Sequence, residues 1–195
     1  MTLDVDCAIA RHVTEGCRFA RGRLLTTVVA DLAVKGALLC DLAAADSARP
    51  VGDSFEVDVP TAGCPVATEF ARSIVERIDD PRAALRASDI GLRTMARELV
   101  TSRRWRVRRT SLFTPKYLPA RRRKGADEET APVLAGRRAA CAQALVQAAG
   151  LGGGTPQRPP AALLADCGDL GWAVQATVEL IDEHLSWRLG GVVRA

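Results

Sequence analysis

The longest apolar stretch of the 195-residue chain runs from Leu24 to Ala45, and it constrains the fold more than any other feature. Three charged residues, Asp31, Lys35 and Asp41, interrupt the stretch and argue against a membrane span. A helix that is apolar on most of its faces normally lies in the centre of a core. We therefore expect a long central helix here. The residues predicted on its inner side are Leu24, Val28, Leu32, Leu39 and Leu42.

Apolar periodicity predicts further helices and a few short strands. One helix is expected from Pro65, with Val66, Phe70, Ile74 and Ile78 on one face. Asp89 is expected to cap a helix that ends near residue 102. The other predicted helices cover residues 81–86, 132–149, 160–165 and 171–189. Strands are expected at 3–10 (a helix from Asp4 is the alternative), 54–59, 105–108 and 111–113, with turns at 46–53 and 114–117. The predicted fold class is mainly α: a single helical-bundle domain over residues 1–195 with short β-hairpins, in which residues 150–160 form an internal glycine- and proline-rich loop.

The composition excludes some classes of protein. Hydrophobic residues make up 48% of the chain, which rules out disorder over the whole length. Only 4% of the residues are aromatic, which argues against a nucleic-acid module that stacks bases on rings. The six cysteines include no C-x-x-C pair, and the first residues lack the basic region of an export signal. We therefore expect reduced thiols in a cytoplasmic protein.

The charge is concentrated in one segment. The chain carries a formal charge of +4, but residues 93–124 contain twelve basic residues and only one acidic residue, Glu98. This segment therefore has a charge of +11 and leaves −7 for the rest of the chain. Such a field attracts polyanions: phosphorylated lipid headgroups, nucleic acid or an acidic protein. The alternative is an arginine-rich composition whose charges are merely solvated.

Motifs that would support catalysis are lacking in the sequence. The two histidines, His12 and His184, do not have metal-ligand spacing, and no nucleophile elbow occurs. Cys64 precedes Pro65 at a predicted helix N-terminus, where it is either a reactive thiol or a small buried residue at a turn. We therefore predict no enzyme, no metal site and no cofactor.

Four stretches, in order along the chain, share a pattern with one protein family. They are Val29–Leu42 (VADLAVKGALLCDL), Asp58–Phe70 (DVPTAGCPVATEF), Leu99–Pro119 (LVTSRRWRVRRTSLFTPKYLP) and Arg138–Gly152 (RAACAQALVQAAGLG). Together they resemble the Golgi phosphoprotein 3 family, of which bacterial members are common in actinobacteria. The resemblance extends from about Thr2 to Ala195.

The resemblance implies a helical bundle with protruding β-hairpins that attaches peripherally to membranes. In eukaryotic members of the family, a basic pocket with a tryptophan holds the headgroup of phosphatidylinositol 4-phosphate. A hydrophobic hairpin enters the bilayer, and the bound protein retains glycosyltransferases. Arginine side chains suit such a site because their planar forks match phosphate oxygens.

The resemblance also suggests candidate site residues. By spacing, the family's tryptophan and three basic positions fall at Gly16, Leu25, Asp89 and Leu92, so neighbouring arginines are the candidates to replace them. The predicted phosphate-binding residues are Arg18, Arg21, Arg23, Arg93, Arg97, Arg106, Arg108 and Arg109. The predicted membrane-contacting residues are Leu112, Phe113, Tyr117 and Leu118.

The function predicted from these features is that of a peripheral protein that binds anionic phospholipid, or an adaptor at a membrane surface with a protein cargo. Two alternatives stay open. The helix at 89–102 and the hairpin at 105–113 have the order of the recognition helix and wing of a winged-helix DNA-binding protein. The cationic face is also suited to an interaction module that docks an acidic partner.

Overall fold

The computed structural model describes residues 4–19, 22–52, 54–76, 80–109, 115–120 and 134–190. The helices in these ranges are α1 (Ala8–Gly16), α2 (Val28–Ala44), α3 (Pro65–Ile74), α4 (Pro81–Ala87), α5 (Leu92–Thr101), α6 (Gly136–Ala148), α7 (Ala161–Asp166) and α8 (Gly171–Gly190). The strands are β1 (Asp4–Val5), β2 (Ala48–Val51), β3 (Ser54–Val57), β4 (Ala62–Gly63), β5 (Trp105–Arg109) and β6 (Pro115–Pro119). The expectation of a mainly α fold is confirmed.

Helix α2 is the central helix that the apolar stretch predicts. It is buried along almost its whole length and packs against α1, α6 and α8. At its crossing with α8, a Cβ atom on Gly36 would lie 2.2 Å from Thr177 Oγ1, so the two backbones can approach only because residue 36 is glycine. Two of the predicted inner residues are wrong: Leu24 precedes the helix, and Val28 is 52% exposed. The helix begins later than expected because Thr27 caps it, accepting the Ala30 N–H at 3.2 Å.

The amino-terminal residues divide between a strand and a helix. Strand β1 is only two residues long and pairs in parallel with β4, so the predicted strand at 3–10 is wrong beyond Val5. The alternative helix prevails from Ala8. Its first turn is held by the buried Asp41 of α2, which accepts the Ile9 and Ala10 N–H groups at 3.0 and 2.8 Å.

The two antiparallel hairpins differ in part from expectation. Strand β3 was predicted, but its partner β2 lies within residues 46–53, which were predicted as a turn. Strand β5 was also predicted, and its partner is β6, although residues 114–117 were expected to turn away. Prolines at both ends of β6 are tolerated because each strand of a two-stranded ribbon has a free edge. The predicted strand at 111–113 lies outside the described residues.

The later helices follow their predicted patterns closely. Val66, Phe70 and Ile74 of α3 are buried, as are Val174, Val178 and Ile181 of α8, while Ile78 lies outside the described residues. Helix α6 begins at Gly136 rather than at residue 132, which the structure does not describe. The 150–160 segment is non-helical apart from one 3₁₀ turn at Leu151–Gly153.

The buried apolar residues form one main core centred on α2 and a small second cluster of Ala96, Leu99 and Trp105 between α5 and β5. This second cluster fixes the hairpin β5–β6 against α5. In the part of the chain that the structure describes, no helix has both the length and the apolarity to cross a membrane.

Candidate anion-binding site

A pocket of about 480 Å³ lies between the segment that precedes α2, helix α5 and the hairpin β5–β6. Three of its lining side chains are arginines, and the others are apolar or carry a hydroxyl group. The lining residues are Arg23, Leu24, Thr26, Arg93, Arg97, Val100, Val107, Pro115 and Tyr117. The volume is within the range of small-ligand sites in proteins.

Helix α5 places Arg93 and Arg97 on the same side of the pocket. They are four residues apart, which puts both side chains on one helix face, and both are exposed. The opposite face of α5 is anchored by the buried Leu92, Met95 and Leu99. Two cations at this spacing repel each other, so an anion between them would relieve the repulsion.

The start of α5 is held from another helix. The predicted cap, Asp89, is wrong: the residue before α5 is Gly91, and the Leu92 N–H donates instead to Asp31 Oδ1 of α2 at 2.9 Å. The second oxygen of Asp31 pairs with Lys35 Nζ, also at 2.9 Å. A Cβ atom on Gly91 would lie 2.4 Å from Asp31 Oδ1, so this close approach requires glycine. The contact fixes the end of the helix that carries Arg93.

The hairpin contributes an apolar wall to the pocket. Val107 pairs with Tyr117 across the ribbon, and both side chains line the pocket. Because side chains alternate along a strand, Arg106 and Arg108 lie on the opposite face of the ribbon, where both are exposed. The structure therefore brings Arg23, Arg93 and Arg97 together but does not add Arg106 and Arg108 to their pocket.

A tight turn between Arg18 and Leu24 positions Arg23. The Phe19 N–H donates to the Arg23 carbonyl at 2.9 Å, and the Tyr117 N–H donates to the Gly22 carbonyl at 2.7 Å, which ties the turn to β6. Gly22 has φ 78°, and a Cβ atom there would lie 2.9 Å from the Tyr117 carbonyl oxygen. Only glycine combines this backbone conformation with such a close approach.

Another arginine in this region, Arg18, lies over an aromatic ring. The Arg18 guanidinium carbon lies 5.9 Å from the ring centre of Trp105, which in turn lies 5.8 Å from the Tyr117 ring. The Arg18 Nε atom is buried, and no group in the described part of the chain accepts a hydrogen bond from it. Arg18 therefore lies behind the pocket wall rather than in the pocket lining, and it adds positive charge to the region.

The pocket is electropositive because carboxylates are excluded from it. Among the described residues, no acidic side chain is part of the lining, and none forms an ion pair with Arg23, Arg93 or Arg97. Several arginines elsewhere are paired with carboxylates: Arg49 with Glu56, Arg82 with Glu179, Arg86 with Glu183, Arg137 with Asp169 and Arg138 with Asp6. Others, such as Arg72, Arg106 and Arg108, are exposed without an ion pair in the described part of the chain. The pocket is distinguished by the three arginines that share its lining.

The other predicted site residues have mixed positions. Arg21, Leu112 and Phe113 lie outside the described residues, and Arg109 is placed on β5. Tyr117 and Leu118 are half-buried, so the hairpin offers only part of each to a membrane. Two exposed apolar side chains near the pocket were not predicted: Phe19 (48%) in the turn that carries Arg23, and Val107 (42%) on the hairpin. The adjacency of Phe19 to Arg18 was the only sequence signal for it.

The second pocket of the structure differs from the first because its charged side chains are paired with one another. This pocket, of about 320 Å³, lies between α2, α4 and α8, with the exposed Trp187 at its edge. Its charges, Asp31, Lys35, Arg86 and Glu183, occur as two ion pairs. Among the described residues, no group of three or more potential ligands could hold a metal ion.

Comparison with known proteins does not identify a relative. No family model matches this chain, and no match is found among the curated proteins or the solved structures.

Proposed function

We propose that this protein binds anionic phospholipid at a membrane surface, with the pocket of Arg23, Arg93 and Arg97 as the headgroup site. The observation that supports the proposal most strongly is the gathering of three arginines from two separate segments around one pocket, among whose described lining residues there is no carboxylate. Arginine binds phosphate through charge-assisted, often bidentate, hydrogen bonds. Phosphate would neutralise the three guanidinium groups, for which the described part of the chain supplies no anion.

The surroundings of the pocket suit a peripheral mode of attachment. The exposed Phe19 and Val107 are apolar side chains near the arginines, so a headgroup in the pocket would bring both near the acyl-chain boundary. The exposed Arg106 and Arg108 on the other face of the hairpin would add attraction to an anionic leaflet. Each basic residue near such a surface contributes about 1 kcal/mol.

The resemblance to the Golgi phosphoprotein 3 family extends this proposal to phosphatidylinositol 4-phosphate and to an adaptor role with a protein cargo. In that family the basic pocket includes a tryptophan. Here Trp105 lies beside the pocket, in contact with Tyr117, although it is far along the chain from Gly16, where the family pattern has its tryptophan. We therefore propose a phosphorylated inositol lipid as the first ligand to test, for a protein attached peripherally to a membrane from the cytoplasmic side.

Vesicle flotation tests the proposal. The wild-type protein is mixed at low salt with phosphatidylcholine vesicles, with the same vesicles containing phosphatidylserine, and with vesicles containing phosphatidylinositol 4-phosphate. We expect flotation with both anionic types, strongest with the phosphoinositide, and a loss as salt is raised, because salt screens exposed charges. Equal behaviour on neutral and anionic vesicles would refute the proposal.

One observation favours a second candidate function. Helix α5 and the hairpin β5–β6 follow each other in the order of the recognition helix and wing of a DNA-binding domain, and Arg93 and Arg97 are exposed on that helix. A gel-shift assay on duplex DNA tests it. A shift that weakens steeply with salt, in a protein that does not float with anionic vesicles, would favour DNA binding. Absence of binding at low salt would exclude it.

A further inference from the structure

Two cysteines that are far apart in the sequence meet at the parallel pair β1–β4. Val5 and Gly63 are partners in the ladder, and the Cys64 N–H donates to the Val5 carbonyl at 2.7 Å. Cys7 lies two residues beyond Val5, and its thiol donates a hydrogen bond to the Cys64 sulfur. Cys7 lies beyond the end of β1 and is not a ladder partner of Cys64, so it is the contact between the two thiols, at the end of the ladder, that places the sulfurs together.

The backbone at Cys7 is strained. Cys7 has φ 52° and ψ 34°, in the left-handed region, where it directly precedes α1. A side chain other than that of glycine or asparagine rarely adopts this conformation, and such residues concentrate at functional sites. Here the strain turns the chain from β1 into α1 in a way that leaves the Cys7 thiol against Cys64.

Cys64 has the environment of a reactive thiol. It immediately precedes the ten-residue helix α3, and although it is only 3% exposed, its neighbours Gly63 and Pro65 are exposed. The hydrogen bond from Cys7 lowers the pKa of Cys64 to about 7, assisted by the N–H groups of Ala67 and Val66 and by the charge of Arg11. The pKa of Cys7 is raised, by the same hydrogen bond and by burial. One sulfur is thus poised as the thiolate and the other as the thiol that can resolve it.

We propose that Cys7 and Cys64 form an oxidisable dithiol that is converted by hydrogen peroxide into a disulfide. In the first step the Cys64 thiolate attacks one peroxide oxygen. An S–O bond forms, the O–O bond breaks, and hydroxide leaves and takes a proton to become water. In the second step the Cys7 sulfur attacks the Cys64 sulfenic acid. The S–S bond forms, the S–O bond breaks, and the hydroxide takes the Cys7 proton. Two thiols and one peroxide give one disulfide and two water molecules.

The other four cysteines provide an internal comparison. All six cysteines are free and buried. Cys40, Cys141 and Cys167 lie together in the main core, where Cys141 interacts with both of the others, and Cys17 donates to the Val13 carbonyl within α1. Hydrogen bonds from Cys40 and Cys167 also lower the pKa of Cys141, but Cys141 lies within α6, and none of these four cysteines immediately precedes an α-helix. Selective oxidation at Cys7 and Cys64 would therefore reflect their local geometry rather than cysteine content.

Peptide mapping of the wild-type protein tests the proposal. The full chain is treated with a small excess of hydrogen peroxide at pH 7, remaining thiols are alkylated, and the unreduced digest is analysed by mass spectrometry. We expect a linked pair of peptides containing Cys7 and Cys64, two hydrogens lighter than the separate thiol peptides, and its loss after reduction. Recovery of both cysteines as alkylated thiols, or linkage of Cys40 to Cys141 instead, would overturn the proposal.

A pair of matched variants tests the roles of the two sulfurs. In Cys7→Ser the resolving thiol is absent, so we expect Cys64 sulfenic acid to accumulate and to be trapped by dimedone. In the control Cys17→Ser the hydroxyl can still donate to the Val13 carbonyl, and the linked peptides should form as in the wild type. Absence of dimedone labelling in a folded Cys7→Ser protein would contradict the assignment of Cys64 as the attacking thiol. If Cys7→Ser does not fold, the wild-type mapping still decides.

Discussion

At the scale of single residues, Asp41 is the acidic side chain that is buried most deeply among the residues the structure describes. It is buried inside α2, and burial raises its pKa to about 7, against an ordinary value of 3.8, although hydrogen bonds from the Ala10 and Ile9 N–H groups oppose the shift. Asp41 holds the first turn of α1, which leads into the Arg18–Leu24 turn of the pocket. The protonation state of this residue therefore affects the stability of the fold.

The raised pKa of Asp41 predicts that stability falls as pH rises from about 4 to about 7. Between these values the folded chain keeps a proton that the unfolded chain has lost, so ionisation opposes folding. A shift of this size corresponds to roughly 4 kcal/mol at most. Urea unfolding at a series of pH values measures it as the free energy of unfolding.

Asp41→Asn is the control for this prediction. The amide cannot ionise, so the fall in stability between pH 4 and 7 should become shallower in the variant. The slope is the readout, because the amide also loses one acceptor and lowers stability at every pH. Identical slopes in the two proteins would contradict the assigned pKa.

At the scale of elements, the start of α5 depends on a contact that no local pattern reveals. The sequence predicted Asp89 as the cap, because it is the acidic residue just before the apolar stripe. The acceptor is instead Asp31, which lies 61 residues from Leu92 along the chain. Asp31 also neutralises Lys35, whose side chain is only 9% exposed.

Asp31→Ala should therefore destabilise the protein by about 2–4 kcal/mol, since it removes a helix cap and leaves Lys35 buried without its partner. Asp31→Asn keeps an oxygen for the Leu92 N–H but loses the charge, so it should cost about half as much. Thermal and urea unfolding of both variants beside the wild type measure the difference. Equal stability of Asp31→Ala and the wild type would show that the contact contributes nothing.

The elements also show how far sequence patterns can predict this fold. The helices were predictable because their apolar residues recur at helical spacing, as in α3 and α8. The partner of β5 was not, because Pro115 and Pro119 favour a turn in the sequence, whereas a strand with a free edge accepts them. Strand β2 was missed for the same reason, since Pro50 and Gly52 dominate its local pattern.

At the scale of the whole molecule, the positive charge divides into a pocket and an outer face. The charge pattern pointed to Arg93 and Arg97, and the family resemblance pointed to Arg23, but neither could separate Arg93 and Arg97 from Arg106 and Arg108. That separation depends on the strand alternation of β5 and on how the hairpin packs against α5 through Trp105. Phe19 could not be predicted either, because its position follows from the turn that ties Gly22 to Tyr117.

Flotation of two charge-reversal variants tests most directly whether the pocket, rather than the net charge, holds the lipid. Arg97→Glu changes the pocket, and Arg72→Glu makes the same change at an exposed site on α3 that does not line it. Loss of one attraction and gain of one repulsion corresponds to ~2 kcal/mol. On vesicles containing phosphatidylinositol 4-phosphate we therefore predict about thirtyfold weaker binding for Arg97→Glu and little change for Arg72→Glu. Equal losses in the two variants, or binding of Arg97→Glu at the wild-type level, would contradict the account.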